Sequence, residues 1–109
     1  MSNIDYVIVG TGPLLADVRN MVKNITRSAD AESGWLHPAD ERASVYVKPD
    51  PECAGGTVVQ VYYSADPPTR GQEYARSLYD ELVRRTNWDL VLDSDETDGI
   101  VASRTKSRV

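Results

Sequence analysis

Apolar residues recur along the chain with two periods, one typical of strands and the other of helices. Residues 4–9 are mostly β-branched or aromatic and end at Gly10, which predicts a first strand. Within residues 43–48, Val45 and Val47 alternate with Ser, Tyr and Lys, which predicts a strand with one buried face. Further strands are predicted at residues 57–63, 88–92 and 100–103, the last of them pairing back after a turn at Asp98 and Gly99.

Two other segments carry an apolar stripe at helical spacing. The first helix is predicted to start at Pro13, a residue suited to the first helical position, and to end near Arg27. The second is predicted to open at Thr69 in a capping box with Gln72, and to gain acid-first pairs at positions 80 and 84 and at 81 and 85. The stripes comprise Leu14, Leu15, Val18, Met21, Val22 and Ile25 in the first helix and Tyr74, Ala75, Leu78, Tyr79, Leu82 and Val83 in the second.

The elements follow one another in the order βαββαβ, with one more strand near the C-terminal end. Because each helix has a single apolar stripe, both are expected to cover the same face of a mainly antiparallel sheet. With right-handed crossovers, the fold class is an α+β two-layer sandwich that resembles the ferredoxin-like arrangement, with an extra C-terminal hairpin strand. We expect one domain at residues 1–104, a flexible basic tail at 105–109, and a long polar connection at 28–42.

Composition and charge limit the classes of function. The chain has 109 residues, of which 17 are acidic and 12 are Lys or Arg, and its formal net charge is −5. This charge disfavours binding to nucleic acid or to an anionic membrane, and it favours a basic partner. The first residues show neither a signal-peptide pattern nor a long apolar run. Cys53 is the only cysteine, which suits a reducing compartment. The sequence therefore predicts a cytoplasmic protein.

The turn from Gly10 to Pro13 is similar to the start of a dinucleotide-binding fingerprint. A predicted strand precedes it and a predicted helix follows it, as phosphate binding at a helix start requires. However, Leu15 occupies the third glycine position, where its side chain would crowd the helix against the strand. The tight turn is explained by chain geometry alone, and a small anion at the amides of Thr11 and Gly12 is the alternative.

Two other motifs lack residues that a functional site would need. Residues 93–99 are similar to a calcium loop, but Arg104 occupies the position that needs a bidentate glutamate. His37 is the sole histidine, and no sequence signature ties it to Cys53 or to a serine. The sequence therefore predicts no catalytic residue, no cofactor and no metal, and an enzyme using His37 is the least favoured alternative.

The sheet face away from the helices is the most informative part of the prediction. If the alternating valines of the second strand face the helices, Tyr46 and Val91 face away. One side of the first strand joins them, together with either residues 58, 60 and 62 or residues 59, 61 and 63. Such a face is more apolar than water tolerates, so a second copy, a partner, a ligand or the 28–42 connection should cover it. The simplest cover is a second copy in a symmetric dimer. Otherwise Trp35 and Leu36 would anchor the connection over the face.

These features together predict a small, acidic, non-enzymatic interaction module. It would bind itself or a basic protein partner, in the manner of an immunity-type antagonist. A regulatory domain that binds a small ligand or anion is the alternative. The predicted interface residues are Tyr46, Val58, Tyr62 and Val91 on the sheet and Asp93, Asp95, Glu96 and Asp98 in the acidic hairpin.

Overall fold

The computed structural model describes residues 3–31, 34–64, 69–94 and 100–104. Within these ranges the chain forms two helices, α1 (Leu15–Thr26) and α2 (Thr69–Arg85). The strands are β1 (Asn3–Val9), β2 (Ala29–Asp30), β3 (Leu36–His37), β4 (Ala43–Pro49), β5 (Thr57–Tyr63), β6 (Leu90–Ser94) and β7 (Ile100–Arg104). The described part of the chain is therefore a small α+β protein, as the sequence predicts.

The described strands form one antiparallel sheet in the order β2-β3-β4-β5-β1-β6-β7. β1 lies in the interior of this sheet, where Val7 is in register with Val59 of β5 and with Leu92 of β6. Because side chains alternate between the two faces of a strand, residues in register with Val7 share its face. The interior strands thus present two different rows of side chains, one to each side of the sheet.

Both helices pack on the same face of this sheet. α1 contacts β4 and α2, while α2 contacts β1, β5 and β6. Val59 and Val61 of β5 point towards the helices and are fully buried. Of the two sets of residues that the sequence left open for this strand, residues 58, 60 and 62 are therefore the ones that face away. The core consists of Val7, Val9, Leu36, Val45, Val47, Val59, Val61, Leu90 and Leu92 from the sheet and Val18, Val22, Ala75, Leu78, Tyr79 and Leu82 from the helices.

α1 begins later than its sequence predicts. Leu14 is the N-cap residue, in an extended conformation, and no side chain caps the helix. Pro13 therefore lies before the helix and not at its first position. The side chains of Leu14 and Leu15 are 68% and 39% exposed, so they do not belong to the buried stripe. That stripe starts one turn later, at the fully buried Val18.

The segment at residues 28–42, predicted to be a polar connection, contains a short hairpin that extends the sheet. β2 pairs with β3, and Leu36 of β3 is in register with Val45 of β4. Leu36 is fully buried, while the Asp30 carboxylate of β2 binds Arg19 and Lys23 of α1 at 2.8 Å each. The prediction was wrong here because two-residue strands are too short to show any periodicity.

Ion pairs line the outer face of α2. Glu81 binds Arg85 at 3.0 Å, as predicted, and also binds Arg84 one turn away. The predicted pair of Asp80 with Arg84 does not form, because Asp80 instead binds Arg76 at 3.1 Å. The hydrogen bond from Arg84, with a smaller contribution from Arg85, holds the pKa of the Glu81 carboxyl below its usual range. These pairs keep the helix surface polar and leave its other side to the core.

β6 begins at Leu90, two residues later than predicted, so Trp88 precedes the strand and packs, partly buried, against the core. The extra C-terminal strand is present as β7, which pairs with β6. The side chain of Thr69, and with it the predicted capping box, lies outside the described residues, as does the predicted tail at 105–109. Neither of the two described helices is long and apolar enough to cross a membrane.

Candidate interaction face

We call the sheet face opposite the helices the open face. Its side chains occupy the rows that alternate with the buried core rows. Tyr6 is in register with Gln60 of β5 and with Asp93 of β6. In the next row on this face, Ile8 is in register with Val58 and Val91. The open face consists of Ile4, Tyr6, Ile8, Ser44, Tyr46, Lys48, Val58, Gln60, Tyr62, Val91 and Asp93. Apart from the buried Val58, all of them are half-buried.

An aromatic cluster of Trp35, Tyr46 and Tyr62 covers one corner of the open face. The centroid of the Trp35 ring lies 5.0 Å from that of Tyr46 and 5.3 Å from that of Tyr62. Such tilted contacts add to the stabilisation from simple burial. Gly34, with φ of 83°, allows the turn that brings Trp35 over the sheet, and a Cβ there would lie 3.4 Å from the Tyr46 ring.

The 28–42 segment therefore covers part of the open face, through only one of its two predicted anchors. Trp35 lies on the open face, but the adjacent Leu36 points through to the helix side and joins the core. This follows from the alternation along β3, since neighbouring residues of a strand point to opposite faces. The prediction that Leu36 covers the open face was wrong.

Two hollows open onto the same face. One has a volume of about 290 Å³ and the other of about 330 Å³. The first is lined by Tyr6, Ile8, Lys48, Val58 and Gln60 and by Asp50, Pro51 and Glu52 of the β4–β5 turn. The second is lined by Trp35, Arg42, Ser44, Tyr62 and Ser64. The face is therefore uneven, with apolar floors and polar margins.

The structure brings together five of the predicted interface residues and leaves the others outside the described residues. The five on the open face are Tyr46, Val58, Tyr62, Val91 and Asp93. Residues Asp95, Glu96 and Asp98 of the predicted acidic hairpin lie outside the described ranges. Sequence reasoning left open which side of β1 joins this face. The structure places Ile4, Tyr6 and Ile8 there, in alternation with the buried Asp5, Val7 and Val9.

The predicted anion-binding turn precedes α1 and does not form its first turn. Thr11 and Gly12 are exposed, and Gly12 has a φ of 124°. The Gly10 amide donates to the carbonyl of Asp89 at 2.9 Å, and a Cβ at Gly10 would lie 2.9 Å from the Asp89 Cβ. The glycine at position 10 is thus explained by close packing of the loop against the start of β6.

His37 and Cys53 lie on different elements of the described structure. His37 is exposed on β3, at the edge hairpin. Cys53 is exposed in the β4–β5 turn, where its carbonyl accepts a hydrogen bond from Gly56 at 3.0 Å. Within the described ranges no three His, Cys, Asp or Glu side chains converge as metal ligands would.

One buried carboxylate escaped the sequence reasoning. Asp5 of β1 is only 1% exposed and lines a cleft of about 880 Å³ beside α2, opposite Arg76 and Glu73. It alternates with Val7 and Val9, so the period of two along β1 places it on the helix side. Its carboxyl group therefore lies in the packed layer between the sheet and the helices and not on the open face.

A polar contact next to the core ties β5 to the loop before β4. The Tyr63 hydroxyl donates to the Asp40 carboxylate at 2.8 Å, and the Tyr63 ring packs 5.1 Å from that of Tyr74. Burial, aided by the negative charge of Asp40, raises the pKa of Tyr74 to about 12. Tyr74 therefore stays neutral near neutral pH, and the arrangement has a structural role.

Comparisons with protein families, curated proteins and solved structures found no match to this chain.

Proposed function

We propose that this protein is a non-enzymatic interaction module that associates with itself through the open face. One observation carries the proposal: Ile4, Tyr6 and Ile8 of an interior strand are only partly buried on the face that neither helix covers. Complete burial of an exposed apolar side chain of this size contributes about 1.5–3 kcal/mol, and each of these side chains would gain a fraction of that. A second copy placed on the face would bury several of them at once.

The aromatic cluster does not extend to Ile8. Trp35 packs on Tyr46 and Tyr62, which belong to β4 and β5. Ile8 lies farther across the sheet and farther along it, in the row of Val58 and Val91. The proposed contact is therefore centred on β1 and β5, with the aromatic cluster at its margin.

The acidic character of the chain is compatible with self-association. Among the described side chains of the open face, the charged ones are Lys48 and Asp93, and they have opposite signs. Asp50 and Glu52 lie in the β4–β5 turn, where they line one of the hollows at the edge of the face. The acidic charge of this turn is therefore at the edge of the face and not in its apolar middle.

The finer description of the fold and the location are also proposals. We propose that β4, β5, β1 and β6 with the two helices correspond to the ferredoxin-like arrangement, with β2, β3 and β7 as additions. The antiparallel order β4-β5-β1-β6 and the placement of both helices on one face support this. A cytoplasmic location is supported by the single cysteine, Cys53.

Sedimentation velocity over a dilution series tests the self-association. We expect the average mass of the wild type to rise with concentration between about 1 μM and about 1 mM, the range of weak complexes. Ile8→Glu should remain monomeric, since pairing would bury an unpaired charge. Asn24→Glu, on the exposed side of α1, is the matched control and should behave as the wild type.

Two results would contradict the proposal: a wild type that is monomeric throughout, or an Ile8→Glu variant that associates as the wild type does. Thermal melts must show that both variants are folded. Ile8 is a better probe than Tyr46, because Tyr46→Glu would also disturb the contact with Trp35.

A further inference from the structure

The two charged residues of the open face lie on opposite sides of its apolar middle. Lys48 is on β4 and Asp93 is on β6, and strands β5 and β1 separate them. Neighbouring strands are about 4.8 Å apart, so the two strands are separated by ~14 Å, too far for these side chains to pair within one copy. In the described part of the chain, neither side chain forms an ion pair with another residue.

A two-fold axis can bring these opposite charges together between two copies. If the axis runs along the strands, between β5 and β1, it places β4 of each copy over β6 of the other. Lys48 is in the row of Val58, Ile8 and Val91, and Asp93 is one same-face step away, ~7 Å along the strand. A lysine side chain can span that step, because sheets that pack face to face are only ~10 Å apart.

The same axis pairs the apolar middle with itself. Val58 of one copy lies over Ile8 of the other, because the axis exchanges β5 with β1. An axis running across the strands would instead bring β4 onto β4 and β6 onto β6, so that like charges approach each other. Like charges at a contact disfavour that arrangement.

Resting on the proposed self-association, we infer that two copies pair face to face about an axis along the strands, with Lys48 of each copy against Asp93 of the other. The four strands involved cover about 19 Å by ~20 Å, which gives ~800 Å² for both copies together. That area is below the roughly 1,200–2,000 Å² buried by stable specific interfaces, so the inferred dimer is a weak one that forms reversibly.

Charge reversal tests the inferred pairing. Lys48→Asp and Asp93→Lys each create two like-charge contacts in the symmetric dimer, and each should weaken self-association by roughly tenfold or more. An equimolar mixture of the two variants should associate again. In the mixed dimer, one contact joins Asp at position 48 to Lys at position 93, and the other joins Lys48 to Asp93. The double variant Lys48→Asp/Asp93→Lys should also return to near wild-type association. Sedimentation velocity at low salt measures all four samples.

The outcomes separate this inference from the proposed function. If the reversals have no effect, or if neither the mixture nor the double variant recovers, the inferred pairing is wrong. If Ile8→Glu still abolishes association in that case, self-association through the open face stands with another orientation. If the wild type is monomeric at every concentration, both the proposed function and the inferred pairing are wrong.

Discussion

Replacing Leu36 by alanine tests whether the β2–β3 hairpin belongs to the cooperative fold. Leu36 is fully buried in the core, in register with Val45, although it lies in a segment whose sequence is mostly polar. If the hairpin were an appended feature, removing its one core side chain would change little. If it is part of the domain, the substitution should act as in any packed core.

The magnitude follows from burial and from the cavity left behind. Leu36→Ala removes three carbon atoms, and each buried carbon contributes about 0.8 kcal/mol. Incomplete collapse of the surroundings adds to this loss, so we expect the free energy of unfolding to fall by about 3 kcal/mol. For a domain of this size the melting temperature should fall by roughly 10 °C.

Urea unfolding followed by far-ultraviolet circular dichroism measures the change. Leu14→Ala is the matched control, since it is the same substitution at a side chain that is 68% exposed, and it should cost less than about 0.5 kcal/mol. The urea dependence of the unfolding free energy should be unchanged. A loss at Leu36 no greater than that at Leu14, or a separate early transition, would refute the placement of this hairpin in the core.

Two further predictions concern titratable groups. The pKa of Tyr74 is raised from 10.0 to about 12 in the folded state. The contribution of the neutral Tyr74 side chain to the free energy of unfolding is therefore complete below pH 10.0 and is lost as the pH rises through about 12. Tyr74 is only partly buried, so the loss should be ~1 kcal/mol after allowance for screening by solvent, and Tyr74→Phe should not show it in urea unfolding. A pH dependence identical in the two proteins would contradict this origin. Hydrogen bonds from Lys23 and Arg19 hold the pKa of the Asp30 carboxyl below its usual range. Their contribution to the free energy of unfolding is therefore present above the ordinary carboxyl pKa and is lost on acidification. At neutral pH, Asp30→Asn should speed amide exchange in β2 and β3 and leave the exchange of core amides in β1 unchanged; equal hairpin exchange in variant and wild type would count against the ion pairs.

The sequence by itself determined the elements whose patterns are long enough to repeat. The strand at Thr57–Tyr63 and the helix at Thr69–Arg85 lie where their periods of two and of about 3.6 place them. A pattern of this length reports which side of an element is buried, because burial repeats with the geometry of the backbone. It also predicted that a strand face bearing Tyr46 and Val91 would lie away from the helices, but it left open which side of the strand at Thr57–Tyr63 joins that face.

Only the tertiary structure decided the features that depend on neighbours distant in the chain. Leu14 and Leu15 match the helical stripe, yet they extend beyond the sheet and stay exposed. Trp35 and Leu36 are adjacent, and only the pairing of β3 with β4 shows that they lie on opposite faces. The physical reason is that local periodicity records the burial of each element, whereas the order of strands decides which side chains meet. The distance across the open face between Lys48 and Asp93 is therefore a property of the assembled sheet alone.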